Sequence, residues 1–285
     1  MKVAPNISEK AETLVQALPY INKYSNRIIV IKYGGNAMIN EELKNSVMSD
    51  LVLLWRIGVK VVLVHGGGPE INDTLKRMNI QPQFINGLRK TDSETVNVVQ
   101  MVLAGKVNKD LVNLIENAGG KAMGLCGIDG HMIEAKPLDS ELGFVGEVTK
   151  VDAKPILDTI SAGYIPVIST IGCDKEGTVY NINADTVAAS IAGELKAASL
   201  ISMTDISGIL RDKDDPKSLI SEIQVSEASQ LIKEGIISDG MIPKVSCCVE
   251  AVRRGVERVF ITDGRVPHAI LIEILSDEGV GTMFY

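Results

Sequence analysis

Short apolar runs recur along this chain, with stretches of helical period between them. Arg27–Lys32 (RIIVIK), Val59–Val64 (VKVVLV), Tyr164–Ile168 (YIPVI), Ser199–Met203 (SLISM) and Arg258–Thr262 (RVFIT) each have the length and composition of a buried strand. The longest intervening helix is expected over Ser93–Ala118. There Val96, Val99, Val102, Leu103, Val107, Leu111 and Leu114 return at helical spacing. This alternation predicts an α/β protein, an open three-layer αβα sandwich around a mainly parallel central sheet.

Three stretches break the pattern. Lys121–Val148 is glycine-rich, with short segments expected to form hairpins at one end of the sheet. Residues 172–185 (GCDKEGTVYNINAD) begin polar and turn-rich, which suggests a boundary between lobes. The expected division is 1–25, 26–172 and 173–285. In the first segment Ile7, Ala11, Leu14, Val15 and Leu18 fall on one helical face, with Asn6 or Ser8 as cap and Pro19 as break or kink. That face packs either on its own domain or on another subunit.

Composition narrows the function classes. The 285 residues are 45% apolar and 23% charged, as expected of a globular protein. The formal net charge of −7 argues against non-specific nucleic-acid binding. Cys126, Cys173, Cys247 and Cys248 lack zinc-ligand spacing and read as reduced core thiols. No run approaches a membrane span and MKVAPNISEK lacks a signal-peptide core, so a cytoplasmic protein without membrane contact is expected.

Candidate chemistry gathers where predicted strands end. IKYGGNAM (31–38) and VLVHGGGPEI (62–71) each run from a strand into clustered glycines. Bare backbone there lets N–H groups approach an anion, and a following helix adds its dipole. Neither stretch is a Walker A or GxGxxG motif. Lys32 ends a buried strand and needs a negative partner. Arg89 in NGLRKT can grip a carboxylate bidentately. Asp185 opens a small-residue helix, either as a favourable N-terminal charge or as a group that orients lysines. Thr204, Asp205 and Ser207 follow another strand, and Gly240 and Lys244 enter a further helix. His65, His131 and His268 form no triad-like or paired metal-ligand pattern, and His65 reads as a structural hydrogen bonder at a strand end.

The ordered set KYGG, HGGGP, NGLRKT, NINAD, TDISGIL and GMIPKV resembles the amino acid kinase family from about residue 26 to the C-terminus. Within it, the set is similar to the enzymes that phosphorylate the side-chain carboxylate of N-acetyl-L-glutamate in arginine biosynthesis. The resemblance implies ATP as co-substrate, with Mg²⁺ carried by the nucleotide and no protein metal site. By position, Lys32 and Lys244 match the family's two lysines that stabilise the transferring phosphoryl group, and Asp185 the aspartate that organises them. Gly35 and Gly67 match N–H donors, while Gly67 and Gly68 match substrate contacts. Arg89 matches the arginine on the substrate's α-carboxylate, and Asn181 the asparagine on the acylated amino acid. Asp205, Ile206, Ser207, Gly208, Ile209, Leu210, Ile236, Ile237 and Ser238 match nucleotide contacts.

ALPYI (17–21) and DEGVGTM (277–283) resemble the arginine-sensitive class, in which N-terminal helices interlace three dimers into a homohexamer. That likeness implies L-arginine as inhibitor, with Tyr20, Glu278 and Gly281 at its site, and admits a PII-type signalling protein as partner. Three other readings fit less well. Aspartokinases carry a regulatory module for which little chain follows Lys244. An idle amino-acid sensor has no need of Lys32, Lys244 and Asp185. A nicotinamide dehydrogenase would show GxGxxG with an acidic residue downstream.

Overall fold

The computed structural model describes residues 7–238 and 240–285. Its centre is one eight-stranded sheet. From one edge to the other the strands are Glu222–Ile223, Thr282–Phe284, Arg258–Asp263, Ser199–Thr204, Ile28–Tyr33, Lys60–His65, Ile165–Ser169 and Ala122–Cys126. Six run parallel; the pair at the Glu222 edge runs the other way. All five strands expected from apolar runs are present, each displaced toward its C-terminus by one residue or none.

Alternate residues of each strand feed two cores, as the period of two requires. Ile29, Ile31, Val61 and Leu63 pack beneath helices Glu41–Arg56, Gly68–Arg77 and Ala269–Leu275. Val30, Val62, Val64 and Leu200 pack beneath Ala184–Glu194 and Met241–Arg253. The result is three layers, helix on sheet on helix.

The Ser93–Ala118 stretch is helical through Asn117, but Met101–Val107 has π geometry. Six of its seven periodic apolar residues are buried; Leu114 is partly so. Lys121–Val148 departs from the expectation of hairpins alone. Ala122–Cys126 is a parallel edge strand of the main sheet, and only Ile133–Pro137 and Gly146–Val151 pair as a hairpin. Those two join Ile171–Cys173 and Val179–Asn181 in a second, four-stranded sheet. The central strands Ile28–Tyr33 and Ser199–Thr204 lie on opposite sides of the expected lobe division and pair directly, so one sheet crosses it.

The N-terminal segment forms two helices, Ile7–Gln16 and Leu18–Tyr24, broken beside Pro19. Leu14, Val15 and Leu18 are exposed at 75%, 68% and 53%, whereas Tyr24 is buried. Asn6 and the side chains of Ile7, Ser8 and Ala11 lie outside the described residues. Among the described residues no helix is long and apolar enough to cross a membrane, and all four cysteines are free.

Candidate active site

Ile28–Tyr33 is the central strand, with its sequence neighbour Lys60–His65 on one side and the distant Ser199–Thr204 on the other. The loops beyond the carboxyl ends of such strands diverge and leave a crevice, the usual ligand position in an open α/β sheet. Both glycine loops open there.

Lys32 is the last but one residue of the central strand and is 7% exposed. Its Nζ donates to the Met203 carbonyl at 3.1 Å and pairs with Asp185 Oδ1 at 3.1 Å. Lys244, in the first turn of Met241–Arg253, reaches Asp185 Oδ2 at 2.9 Å. Ser202 Oγ also donates to Asp185 Oδ1, at 3.1 Å. One carboxylate thus holds two ammonium groups at a fixed spacing.

The sequence around Asp185 explains its aim. Asn183 caps the helix, accepting from the amides of Asp185 (2.9 Å) and Thr186 (3.3 Å). That frees the Asp185 side chain from capping and leaves it for the lysines. Burial alone would raise its pKa, but the charges of Lys32 and Lys244 outweigh burial and hold it well below the ordinary carboxylate range. Asp185, Asn183, Leu88, Pro243 and Cys247 line a cleft of about 200 Å³.

The two loops use glycine for different reasons. At Gly35, φ is +70°, and a Cβ would fall 2.6 Å from Asp205 Oδ1. A Cβ at Gly67 would fall 2.7 Å from Leu103 of the π segment. At Gly68 a Cβ would meet nothing within 4 Å, so packing does not require glycine there.

Arg89 sits on a small hairpin, Gln83–Ile85 with Leu88–Lys90, whose Asn86–Gly87 turn has positive φ at both residues. The guanidinium stacks on Phe84 at 4.8 Å and donates to the Gly68 carbonyl at 3.4 Å. Its Nη1 is buried with no hydrogen-bond partner among the described residues. Burial lowers its pKa. A desolvated cation with an idle donor suits a carboxylate ligand. Asn181 donates to Thr91 Oγ1 at 3.2 Å, and Thr91 Oγ1 donates to the Arg89 carbonyl at 2.8 Å. Arg89 lines a hollow of about 150 Å³ adjacent to, but separate from, the cleft at Asp185.

The expected nucleotide residues divide. Asp205, Ile206 and Ser207 follow the Ser199–Thr204 strand and are at least partly accessible; Ser207 Oγ donates to Asp263 Oδ2 at 3.4 Å. Gly208 has φ +125°, and Leu210 bridges Leu219. Ile209 is 2% exposed, its amide donates to Thr282 Oγ1 and its carbonyl accepts from Ile220, so it holds the loop from beneath. Ile236 is partly buried and Ile237 buried, whereas Ser238 is exposed.

At the other edge of the sheet a cavity of about 290 Å³ is lined by Tyr20, Gly281, Glu222, Glu273 and Asp277, among others. Tyr20 hydroxyl donates to Asp277. Glu278 is exposed on the turn and is not part of the wall, where Glu222, Glu273 and Asp277 supply the carboxylates and Lys23 and Arg258 the cations. Gly281 is also required by packing, since a Cβ would lie 2.1 Å from the Ile261 carbonyl. Sequence reading did not single out Ser202, Asn183, Glu273 or Asp277. Among the described residues no group of three His, Cys, Asp or Glu side chains could hold a metal ion.

Comparison with known proteins follows the same lines. The sequence model of the amino acid kinase family matches residues 27–263. The chain is 54% identical over 283 residues to the acetylglutamate kinase of Clostridium beijerinckii, covering 98% of this chain and 99% of that one. It is 56% identical over 284 residues to the acetylglutamate kinase of Brachyspira hyodysenteriae, with the same two coverages. Among solved structures, N-acetylglutamate synthase from Neisseria gonorrhoeae, complexed with coenzyme A and N-acetyl-glutamate, superposes with a TM-score of 0.84 at 24% identity. That match takes in 96% of this chain but 63% of the synthase, and shows the shared fold alone.

Proposed function

The chain belongs to the amino acid kinase family, and from that premise we propose that it transfers the γ-phosphoryl group of ATP to the side-chain carboxylate of N-acetyl-L-glutamate, in arginine biosynthesis. The single observation that carries this reading is Asp185 held between Lys32 and Lys244 at 3.1 and 2.9 Å, beside two strands that each run into a glycine loop. The acceptor carboxylate has an ordinary pKa of about 4.3 and is already ionised near neutrality, so no general base is needed. What the reaction requires is alignment of nucleophile and phosphoryl group, and cations and N–H donors on the charge that develops. Lys32, Lys244 and the amides of Gly35 and Gly67 meet that need. Gly68, Asn181 and Arg89 hold the acceptor, with Arg89 on its α-carboxylate. Asp205–Leu210 and Ile236–Ser238 hold the nucleotide. Mg²⁺ arrives as part of the nucleotide substrate, where phosphates and water supply most of its ligands.

L-arginine is the inhibitor in this reading. The cavity beside Tyr20 supports it, because Glu222, Glu273 and Asp277 suit a guanidinium or ammonium group while Lys23 and Arg258 in the same wall suit a carboxylate. The exposed N-terminal face at Leu14, Val15 and Leu18 supports burial against another copy of the chain, and a trimer of dimers in the cytoplasm is the assembly this reading takes. A PII-type protein belongs to the same proposal as a further partner. The deciding experiment is ADP release with N-acetyl-L-glutamate, glutamate, aspartate and UMP as acceptors. Turnover with N-acetyl-L-glutamate far above the others is expected; preference for any other acceptor overturns the substrate assignment.

A further inference from the structure

His65 ends the strand that leads into the second glycine loop, and its side chain is fully buried. Its Nδ1 lies 2.9 Å from the carbonyl of Gly66, and its Nε2 lies 3.1 Å from Asn108 Nδ2. A carbonyl can only accept, so Nδ1 carries the proton. Asn108 is itself 1% exposed, and the same Nδ2 donates to the Val167 carbonyl at 2.8 Å and approaches that of Leu125 at 3.3 Å. Two backbone carbonyls thus identify that atom as the amide nitrogen, and Nε2 as the acceptor. Burial, against the Gly66 hydrogen bond and with the charge of Lys109, pushes the imidazole pKa down to about 4. The ring is neutral in one tautomer.

That tautomer has a consequence one peptide further on. The carbonyl of Gly66 and the N–H of Gly67 belong to one planar trans unit and point in opposite directions. Holding the first therefore directs the second. The preceding amide is also fixed, since Gly66 N donates to the Tyr33 carbonyl at 3.1 Å. Glycine at 124 leaves the room that this arrangement needs, because a Cβ there would lie 2.0 Å from Asn108 Oδ1.

We propose that His65, locked in its Nδ1–H tautomer by Asn108, is a positioning residue that aims the Gly67 N–H at the transferring phosphoryl group. The inference rests on the reading that this N–H serves phosphoryl transfer. A glycine-rich loop has many low-energy orientations, and a donor misplaced by about 1 Å costs roughly 10²-fold in rate. Neither residue touches a reactant; both act through the peptide plane.

The test uses the intact protein. His65→Leu removes the donor to Gly66 and is expected to lower kcat by roughly 10- to 100-fold, less than outright loss of an oxyanion donor. KM for either substrate should change by less than about threefold. His65→Asn places an amide near the Nδ1 position and should recover most of the loss. Solid-state ¹⁵N spectra of histidine-labelled wild type, assigned with His65→Asn, should show the neutral Nδ1–H tautomer from pH 8 to 5. An Nε2–H tautomer or an imidazolium at pH 7 overturns the inference, whether or not the leucine variant folds. So does a His65→Leu enzyme with a lower melting temperature but wild-type kcat, which marks a packing residue only. Lys32→Ala serves as the control: if it keeps its turnover, the catalytic reading falls, whereas its loss beside an unaffected His65→Leu removes only the positioning role.

Discussion

Asp185 joins a structural pairing of two lysines to the catalytic role proposed for it. Its two oxygens answer to different lysines, yet the lysines differ in burial: the Lys32 side chain is 9% exposed and that of Lys244 27%. Either alanine variant should lower kcat by roughly 10²–10³, the loss expected for one strong transition-state donor. Lys32→Ala should also destabilise the fold by about 1–3 kcal/mol, because it strips a buried carboxylate of a charged partner; Lys244→Ala should cost less. Denaturant midpoints beside kcat check the ordering. Asp185 further sets a pH dependence. Its native pKa lies below the unfolded value of about 3.9, so its stabilisation is complete above that pH and drains away as pH falls through the native pKa. The stability deficit of Asp185→Asn should therefore be largest near neutrality and shrink toward pH 2.5, as measured by denaturant melts at several pH values. Arg89→Ala should raise KM for N-acetyl-L-glutamate far more than for ATP, since the contact proposed for it would be present in ground and transition states alike. Equal weakening of both substrates would remove Arg89 from the acceptor site.

At the scale of elements, packing requires glycine at 67 and leaves it free at 68, where the proposed function supplies a ligand instead. Gly67→Ala drives a methyl into Leu103 and should cost about 1–3 kcal/mol as well as activity. Gly68→Ala meets open space, so its melting temperature should stay at wild type while KM for the acceptor rises. A drop in melting temperature at Gly68 would show that packing, not the acceptor, demands glycine there. Much at this scale was legible beforehand, because the strands are continuous apolar runs and the glycines and Lys32 fall where those runs end. What stayed hidden has no local signal. Ser202 is one polar residue inside a buried strand, and only the packing of helix Ala184–Glu194 on the sheet brings Asp185 to it. The π segment reads as α-helix, since the same apolar residues satisfy both periods over seven residues. Ala122–Cys126 read as a hairpin arm because Gly124 weakens its strand character, while the reason for that glycine lies on another element, in Asn108.

Across the whole molecule, the sheet binds the two halves into one body, and the N-terminal helices stand partly apart from it. Leu18–Tyr24 is anchored at its end by buried Tyr24 and by the Tyr20–Asp277 hydrogen bond. Ile7–Gln16 instead presents Leu14 and Val15 to solvent. The break between them at Pro19 therefore separates a segment that docks on its own chain from one with an apolar face left over. That division sharpens the test of assembly and inhibition. Deleting residues 1–16 removes Leu14 and Val15 from the exposed face and keeps Tyr20 and the cavity beside it. The expected product is an active dimer, by light scattering or sedimentation, against a hexamer for the full chain. If arginine acts by favouring a low-activity ring, it must bind that ring better than the active state, and the truncated enzyme should lose most of its inhibition while keeping kcat. Glu273→Gln should lose inhibition in the full-length hexamer without dissociating it, because it alters the cavity and leaves the exposed face intact. A truncated enzyme that stays hexameric, or one that is dimeric yet fully inhibited, would detach arginine sensing from the N-terminal helix. A full-length enzyme indifferent to millimolar arginine would end the inhibitor reading altogether, and neither result would touch the catalytic role proposed for Lys32, Asp185 and Lys244.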